Sequence, residues 1–345
     1  MEKEAYMHRA LQLARLGIGK VAPNPMVGAV IVYQDKIIGE GWHEKYGLAH
    51  AEVNAINSVK QKELLSESTI YVNLEPCSHY GKTPPCANLL VDMQLKKVVI
   101  ANLDSNPQVA GRGIELLRQA GIDVQIGVLA EEARLLNKRF FTFMEKKRPY
   151  IILKWAETAD GFIAPLPPLP KWISNEVSKT LVHKWRSEEA GIMVGTNTVI
   201  QDNPQLNVRL WQGRPPVRIV IDKFLRTPPH FHIFDKTQKT ICYNLLKNEE
   251  FGSLAFVRLD AEDFLANLLN DLFARNIQSV LVEGGTALLQ SFIDKEIWDE
   301  ARVFVSRKRF SQGILAPNLC QKPIAIQNIQ EDLLYFYSNA AFYTP

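Results

Sequence analysis

Four residues of this chain, widely separated in sequence, demand a common location in space. His50-Ala51-Glu52 is followed by Pro76-Cys77 and, after eight intervening residues, by Cys86. A hydrolytic zinc site takes three protein ligands and leaves a fourth position for water. One imidazole and two thiolates supply three ligands, and Glu52 is left free as an acid/base. Residues two apart on a helix do not share a face. His50 and Glu52 therefore reach one ion only if it lies just beyond a helix N-terminus. Cys86 follows Pro84-Pro85, a pair suited to a helix start, where exposed N–H groups and the dipole stabilise a thiolate. A purely structural zinc would need a fourth ligand, and His79 stands where it could serve. Glu52, at its offset from His50, favours catalysis.

The pattern around these residues predicts an α/β layered domain. Apolar positions Ala10, Leu11, Ala14 and Leu16 mark a helix over about 4–16. Runs 27–33 and 36–42, joined at Gln34-Asp35, read as a hairpin. A helix from near Ala49 and a strand over 69–74 follow, then a helix after Pro85, a strand over 97–101, a helix over 112–120 and a strand over 123–126. One helical pattern covers 130 to about 143 and gives way to Lys146-Lys147-Arg148-Pro149, the expected linker. The second half restarts with a strand over 150–155 and a Pro-rich loop, Pro165-Leu166-Pro167-Pro168-Leu169-Pro170. Helices are expected at 176–188, 262–275 and 286–294, and strands at 191–195, 217–222, 279–283 and 301–306. The domains expected are 1–147 and 148–345.

Length and charge agree with two globular domains. The 345 residues are 46% hydrophobic and 22% charged, which excludes collagen-like, coiled-coil and disordered chains. Residues 1–149 hold 19 Lys+Arg and 16 Asp+Glu, and residues 150–345 hold 21 of each. Neither half is basic enough to imply nucleic-acid binding from charge. The N-terminus lacks the apolar core of a signal peptide, and no stretch approaches about 18 consecutive apolar residues. Four cysteines are too few for a disulfide scaffold, so a cytoplasmic protein is expected, without a membrane or nucleic-acid partner.

In the second half there is no G-x-G-x-x-G. Val282-Glu283-Gly284-Gly285-Thr286 instead joins an apolar strand to a helix, where glycines let a phosphate approach main-chain N–H groups. Such a turn is also common without a ligand. Gly195-Thr196-Asn197-Thr198 forms a second strand-to-helix junction.

His50-Ala51-Glu52 with Pro76-Cys77 and Cys86 matches the signature of zinc deaminases acting on nucleobases, apart from the longer interval between the cysteines. In that chemistry an activated water attacks an amidine-like ring carbon, and the carboxylate carries a proton to the departing amine. The surrounding residues narrow the resemblance. Pro23-Asn24-Pro25-x-Val27-Gly28, Glu75-Pro76-Cys77-Ser78-His79-x-Gly81-Lys82-Thr83-Pro84-Pro85-Cys86 and Asp104-x-Asn106-Pro107-x-Val109-Ala110-Gly111-x-Gly113 closely resemble the bifunctional deaminase/reductase family of riboflavin biosynthesis. In the second half Lys154-x3-Thr158-x-Asp160-Gly161, Trp172-Ile173-Ser174, Asp202-Asn203-Pro204-x-Leu206-x-Val208-Arg209 and Glu283-Gly284-Gly285 are similar to the same family.

The resemblance implies a cytidine-deaminase-like three-layer domain followed by a dihydrofolate-reductase-like domain. It implies a zinc ion on His50, Cys77 and Cys86, Glu52 as proton carrier, and a pyrimidine pocket lined by Asn24, His43 and His79. Lys82 is either a phosphate contact or a solvated side chain. For NADPH it implies contacts from Ala156, Trp172, Thr198, Asp202 and Gly285. The substrate, a pyrimidine carrying a ribosyl phosphate, falls to Arg186, Leu206, Arg209 and Glu283, and a homo-oligomer is expected. The chain departs from the family at Phe162, where Arg or Lys is usual, at Leu169-Pro170-Lys171, and at Ser306-Arg307-Lys308-Arg309-Phe310. Two readings of this half stand: a working reductase, or a reductase-like domain kept as a scaffold. A nucleic-acid base deaminase is a third reading, opposed by the near-neutral charge and the Thr-Pro-Pro insertion.

Overall fold

The computed structural model describes residues 2–78, 84–106, 110–166 and 173–339. The chain divides into two compact units, Met1–Lys147 and Arg148–Pro345.

The first unit runs α1 (Glu2–Arg15), β1 (Gly28–Tyr33), β2 (Lys36–Trp42), α2 (Ala51–Ser58), β3 (Thr69–Leu74), α3 (Cys86–Asp92), β4 (Lys97–Asn102), α4 (Arg112–Gln119), β5 (Asp123–Ile126), α5 (Ala130–Leu136) and α6 (Lys138–Lys146). Its sheet has the order β2-β1-β3-β4-β5. Strands β1, β2 and β3 pair antiparallel, while β3, β4 and β5 are parallel. Gln34 and Asp35 both take positive φ at the β1–β2 turn, the backbone a two-residue hairpin needs. Strand alternation divides the core. Ala29 and Ile31 of β1 face α2, α3 and α4 through Ala55, Leu90 and Leu117. Val30 and Val32 face α1 and α5 through Ala10, Leu13 and Ala133.

The expected single helix over 130–143 is two helices. The break falls at Asn137, whose buried side chain leaves the helical surface to bond the main chain of Met26. At the expected linker, Lys146 ends α6 and Lys147 takes a left-handed conformation. Arg148 is buried against Asp299 through two hydrogen bonds of 2.6 and 2.8 Å, and the Ile151 N–H donates to the same carboxylate. Thus Arg148 anchors the start of the second unit.

The second unit contains β6 (Tyr150–Thr158), β7 (Phe162–Pro165), α7 (Glu176–Glu188), β8 (Gly191–Gly195), α8 (Thr196–Asp202), β9 (Val217–Ile221), β10 (Thr240–Asn244), β11 (Glu249–Phe251), β12 (Leu254–Arg258), α9 (Phe264–Ala274), β13 (Ser279–Val282), α10 (Thr286–Asp294), β14 (Glu300–Ser306), β15 (Gly313–Leu315), β16 (Ala325–Ile329) and β17 (Asp332–Ser338). The main sheet has the order β11-β12-β10-β9-β8-β13-β6-β14-β17-β16. From β12 to β14 every neighbouring pair is parallel. Helices α9 and α10 cover one face with Leu268, Leu272 and Phe292, while α7 covers the other with Val182 and Trp185.

The sequence reading lacked β7, β10–β12 and β15–β17. Pro165, expected in a loop, closes β7. This is an edge position in a two-stranded sheet with β15, where a missing N–H costs little. The chain leaves β6 for β8, returns to place β13 between them, and only then adds β14. In parallel sheets ligands bind beyond the carboxyl ends of the strands where the order reverses. Here Gly195, Val282 and Thr158 end those strands.

Candidate functional site

In the first unit the structure gathers the residues expected to hold a metal. The Nδ1 of His50 lies 3.5 Å from Cys77 Sγ and 3.4 Å from Cys86 Sγ, and the three ligand atoms lie within 4.8 Å of one another. His50 occupies the N-cap position of α2, with extended backbone, so its ring turns back over the helix start. Glu52 lies in the first turn of the same helix and is buried. The Cys86 N–H donates to Cys77 Sγ at 3.3 Å, and the Ala87 N–H donates to Cys77 O at 3.1 Å. The beginning of α3 therefore wraps the first cysteine. A hydrogen bond from the Cys86 thiol, aided by His50, overcomes burial and lowers Cys77 to about 4. Burial, with the Cys77 charge, raises Glu52 to about 7. One imidazole nitrogen and two sulfurs, one of them a ready thiolate, fit zinc.

Two of the pocket residues also meet. His43 Nδ1 lies 3.0 Å from Ala49 O, so that nitrogen carries the proton and donates. His43 Nε2 then accepts from Asn24 Nδ2 at 3.1 Å. Burial holds the His43 ring below the usual imidazole range, consistent with this neutral tautomer. The rings of His43 and His50 stand edge to face at 5.3 Å. His79 and Lys82 lie outside the described residues, as does Trp172 in the other half.

Glu75 is a residue whose part the sequence reading did not assign. Its carboxylate accepts from the N–H groups of Asp104 (3.2 Å), Gly111 (3.0 Å) and Gly113 (3.1 Å). It thereby pins Asp104, Gly111 and Gly113 against the strand end that precedes Cys77. Gly113 is required there, because an added Cβ would lie 2.2 Å from Pro76 O. The sequence signal was a lone carboxylate at the end of the apolar run 69–74, immediately before Pro76-Cys77.

In the second unit Ala156, Thr198, Glu283 and Gly285 stand at or just beyond the carboxyl ends of β6, β8 and β13. Gly285 has φ of +68°, and Cβ atoms built on Gly284 and Gly285 would lie 3.1 and 3.2 Å from Thr198 Oγ1. The glycine turn after β13 and the hydroxyl on α8 thus form one cradle, which fits the phosphates of a dinucleotide. Ala156 lies half-buried on β6 beside the Trp185–Phe304 cluster, and Asp202 ends α8 with burial raising its carboxyl.

Glu283 is clasped by Arg186 through two parallel bonds of 2.8 Å, from Nε to Oε1 and from Nη2 to Oε2. Arg186 Nη1 also donates to Asn207 O at 3.3 Å. The guanidinium fork expected near a substrate phosphate is therefore spent on Glu283, because a buried carboxylate must be paired. The Arg209 N–H donates to His183 Nδ1 at 3.3 Å, and burial followed by Arg186 and Arg209 brings that ring to about 4. Arg209 itself is exposed and gives one Nη1 bond to Asn207 Oδ1. Leu206 packs its side chain into the core with Val194 and Val220, and its carbonyl accepts from buried Gln238 Nε2 at 3.1 Å. Half-buried Lys154 completes the group, its ammonium lowered by desolvation while Glu283 counteracts.

Ala159 and Asp160, just before Phe162, bond the segment 308–311. Phe162 of β7 stands opposite Leu315 of β15. Asp160 accepts from Thr158 Oγ1 and from the N–H groups of Phe310 and Ser311. Thr286 Oγ1, at the glycine turn, donates to Leu315 O at 2.6 Å.

Fold and sites together define a deaminase of the zinc-dependent type joined in one chain to a dinucleotide-dependent reductase. Comparison with known proteins agrees. Residues 1–102 match the cytidine and deoxycytidylate deaminase zinc-binding region, and residues 149–309 match the RibD C-terminal domain. The chain is 40% identical over 347 residues to the riboflavin biosynthesis protein RibD of Aquifex aeolicus, covering 96% of this chain and 97% of that one. It is 36% identical to RibD of Escherichia coli K12, covering 94% and 92%. A deaminase/reductase crystal structure from Thermotoga maritima superposes with a TM-score of 0.88 at 37% identity, over 97% and 98% of the two chains. RibD of Acinetobacter baumannii gives 0.89 at 33%, with the same coverage.

The chain belongs to the RibD family of riboflavin biosynthesis. It is a bifunctional deaminase and NADP-dependent reductase, with zinc and NADPH as cofactors.

Proposed function

We propose that residues 1–147 deaminate 2,5-diamino-6-ribosylamino-4-pyrimidinone 5′-phosphate and that residues 148–345 reduce the ribosyl group of the product to ribityl. The observation that carries the first step is the joining of His50, Cys77 and Cys86 beside buried Glu52. His50 Nδ1 and the two sulfurs hold zinc, which when bound supplies the Lewis acidity that makes a water nucleophilic at neutral pH. Glu52 takes a proton from that water as its oxygen bonds to the ring carbon. The same carboxyl returns the proton to the amine as the C–N bond breaks and ammonia leaves. Asn24 and His43 hold the pyrimidine edge, with His43 fixed in one tautomer by Ala49 O.

For the second step Thr198 and Gly285 cradle the cofactor phosphates, with Ala156 and Asp202 beside them. Lys154 and Arg209 supply positive charge for the substrate phosphate, while the Arg186-braced Glu283 carboxylate accepts from hydroxyls of the ribosyl group. The protein aligns the two reactants, and the hydride comes from NADPH. The Arg186–Glu283 pair and the glycine turn facing Thr198, both intact beside the departures, support a working reductase over a scaffold. Free thiols at Cys242 and Cys320 suit the cytoplasm. Exposed Ile324 and Ile326 at the outer strand suit self-association into a homo-oligomer.

The test follows ammonia release and NADPH oxidation in one preparation given the diaminopyrimidine substrate. Both should proceed, with ammonia first. Ammonia without any NADPH oxidation, on the deaminated substrate as well, would contradict the second step.

A further inference from the structure

The main chain between Pro25 and β1 cannot satisfy itself. Pro25 has no N–H, and β1 begins only at Gly28. Met26 is nevertheless buried, so its polar groups need partners from elsewhere. Two asparagine side chains supply them. Asn137 Oδ1 accepts from the Met26 N–H at 2.8 Å, and Asn137 Nδ2 donates to Met26 O at 2.8 Å. Asn73 Nδ2 donates to the same carbonyl at 3.0 Å, and Asn73 Oδ1 accepts from the Gly28 N–H at 2.8 Å. Both amides are buried, one between α5 and α6 and the other within β3.

These bonds lie one step from the pyrimidine pocket. The next carbonyl, Val27 O, accepts from the His43 N–H at 2.9 Å. His43 in turn binds Asn24 through Nε2 and Ala49 O through Nδ1, and Ala49 directly precedes the ligand His50. The path is continuous: Asn137 and Asn73 fix Met26, the fixed strip presents Asn24 and His43, and His43 holds the chain entering α2. Asn137 reaches this strip from 111 residues away, from the junction of α5 and α6.

We propose that Asn137, with Asn73, is a positioning residue of the deaminase reaction, holding the strip that aligns Asn24 and His43 on the pyrimidine. This rests on the reading that Asn24 and His43 line that pocket. Neither amide touches the zinc ligands, so its effect falls on substrate binding before metal binding.

The experiment uses the full chain loaded with zinc. Asn137→Ala and Asn137→Ser are compared with wild type for deaminase KM and kcat, zinc per chain and reductase rate. Loss of both Met26 bonds in Asn137→Ala should raise KM about tenfold, with kcat within about twofold. Zinc should stay at one per chain and the reductase rate unchanged. Asn137→Ser, whose hydroxyl serves one of the two bonds, should fall between. If the Ala variant does not fold, the Ser variant decides alone, by a raised KM at full zinc. A wild-type KM in the variants overturns the proposal, and so does a loss of zinc and kcat together, which marks a merely structural role. Glu52→Gln is run in parallel to separate the two ideas. If it deaminates like wild type, the pocket reading fails. If it is inactive while the Asn137 variants keep a wild-type KM, only the positioning role fails.

Discussion

Replacing Arg186 by Gln removes the partner of a carboxylate that the fold has buried. Glu283 is held at about 2, against an ordinary 4.5, because the Arg186 charge and its two hydrogen bonds overcome the burial that would raise it. At ~1.4 kcal/mol for each tenfold change in proton affinity, the fall from 4.5 to about 2 makes the ionised state roughly 3 kcal/mol more favourable than in the unfolded chain. That agrees with the ~3–5 kcal/mol cost of breaking a buried pair from one side. Lys154 keeps a partial counter-charge, so the low end applies. Five of the six tryptophans lie beyond residue 147, so fluorescence-detected urea unfolding reports mainly the second unit. With a slope of about 2–3 kcal/mol/M, Arg186→Gln should lower that midpoint by about 1 M. Because the Glu283 pKa is depressed, the stabilisation is full above pH 4.5 and disappears as pH falls through about 2. The gap between wild type and variant should close over that window. A midpoint shift under about 0.3 M at neutral pH would refute the reasoning, since it would mean the pair contributes less than ~1 kcal/mol.

Other outcomes follow from the first unit. Gly113→Ala puts a Cβ 2.2 Å from Pro76 O, so Pro76-Cys77 must shift; zinc affinity should fall about 10–100-fold in a competition with a chromogenic chelator. Unchanged affinity would show that Gly113 does not hold the cysteine. Stripping zinc with a chelator should abolish ammonia release and leave NADPH oxidation of deaminated substrate intact, with added zinc restoring the first rate. A reductase that fails together with the deaminase would contradict the assignment of zinc to the first unit.

What the sequence made legible and what it did not divide along one physical line. His50, Glu52 and Cys86 could be read because each sits at a helix start, and Cys77 because it follows the end of strand β3. The Gln34-Asp35 hairpin and α7 are local in the same sense. Asn137 could not be read as a helix break, since the reason for it is Met26, far away in the chain. The pairing of Arg186 with Glu283 is likewise a contact across 97 residues, invisible until the fold closes. Strands β10 and β12 are short and lack clear alternation, and they exist because they pair with β9 and with each other. Strand β17 depends in the same way on β14, and the edge strand β16 on β17.

The central claim is that one carboxylate, Glu52, carries the proton of the first reaction on a zinc site in a chain that also performs the second. Glu52→Gln in the zinc-loaded full chain tests it most directly. The account predicts one zinc per chain, ammonia release lowered by at least about a hundredfold, and an unchanged rate of NADPH oxidation on the deaminated substrate. Ammonia release at the wild-type rate with zinc still bound would contradict it.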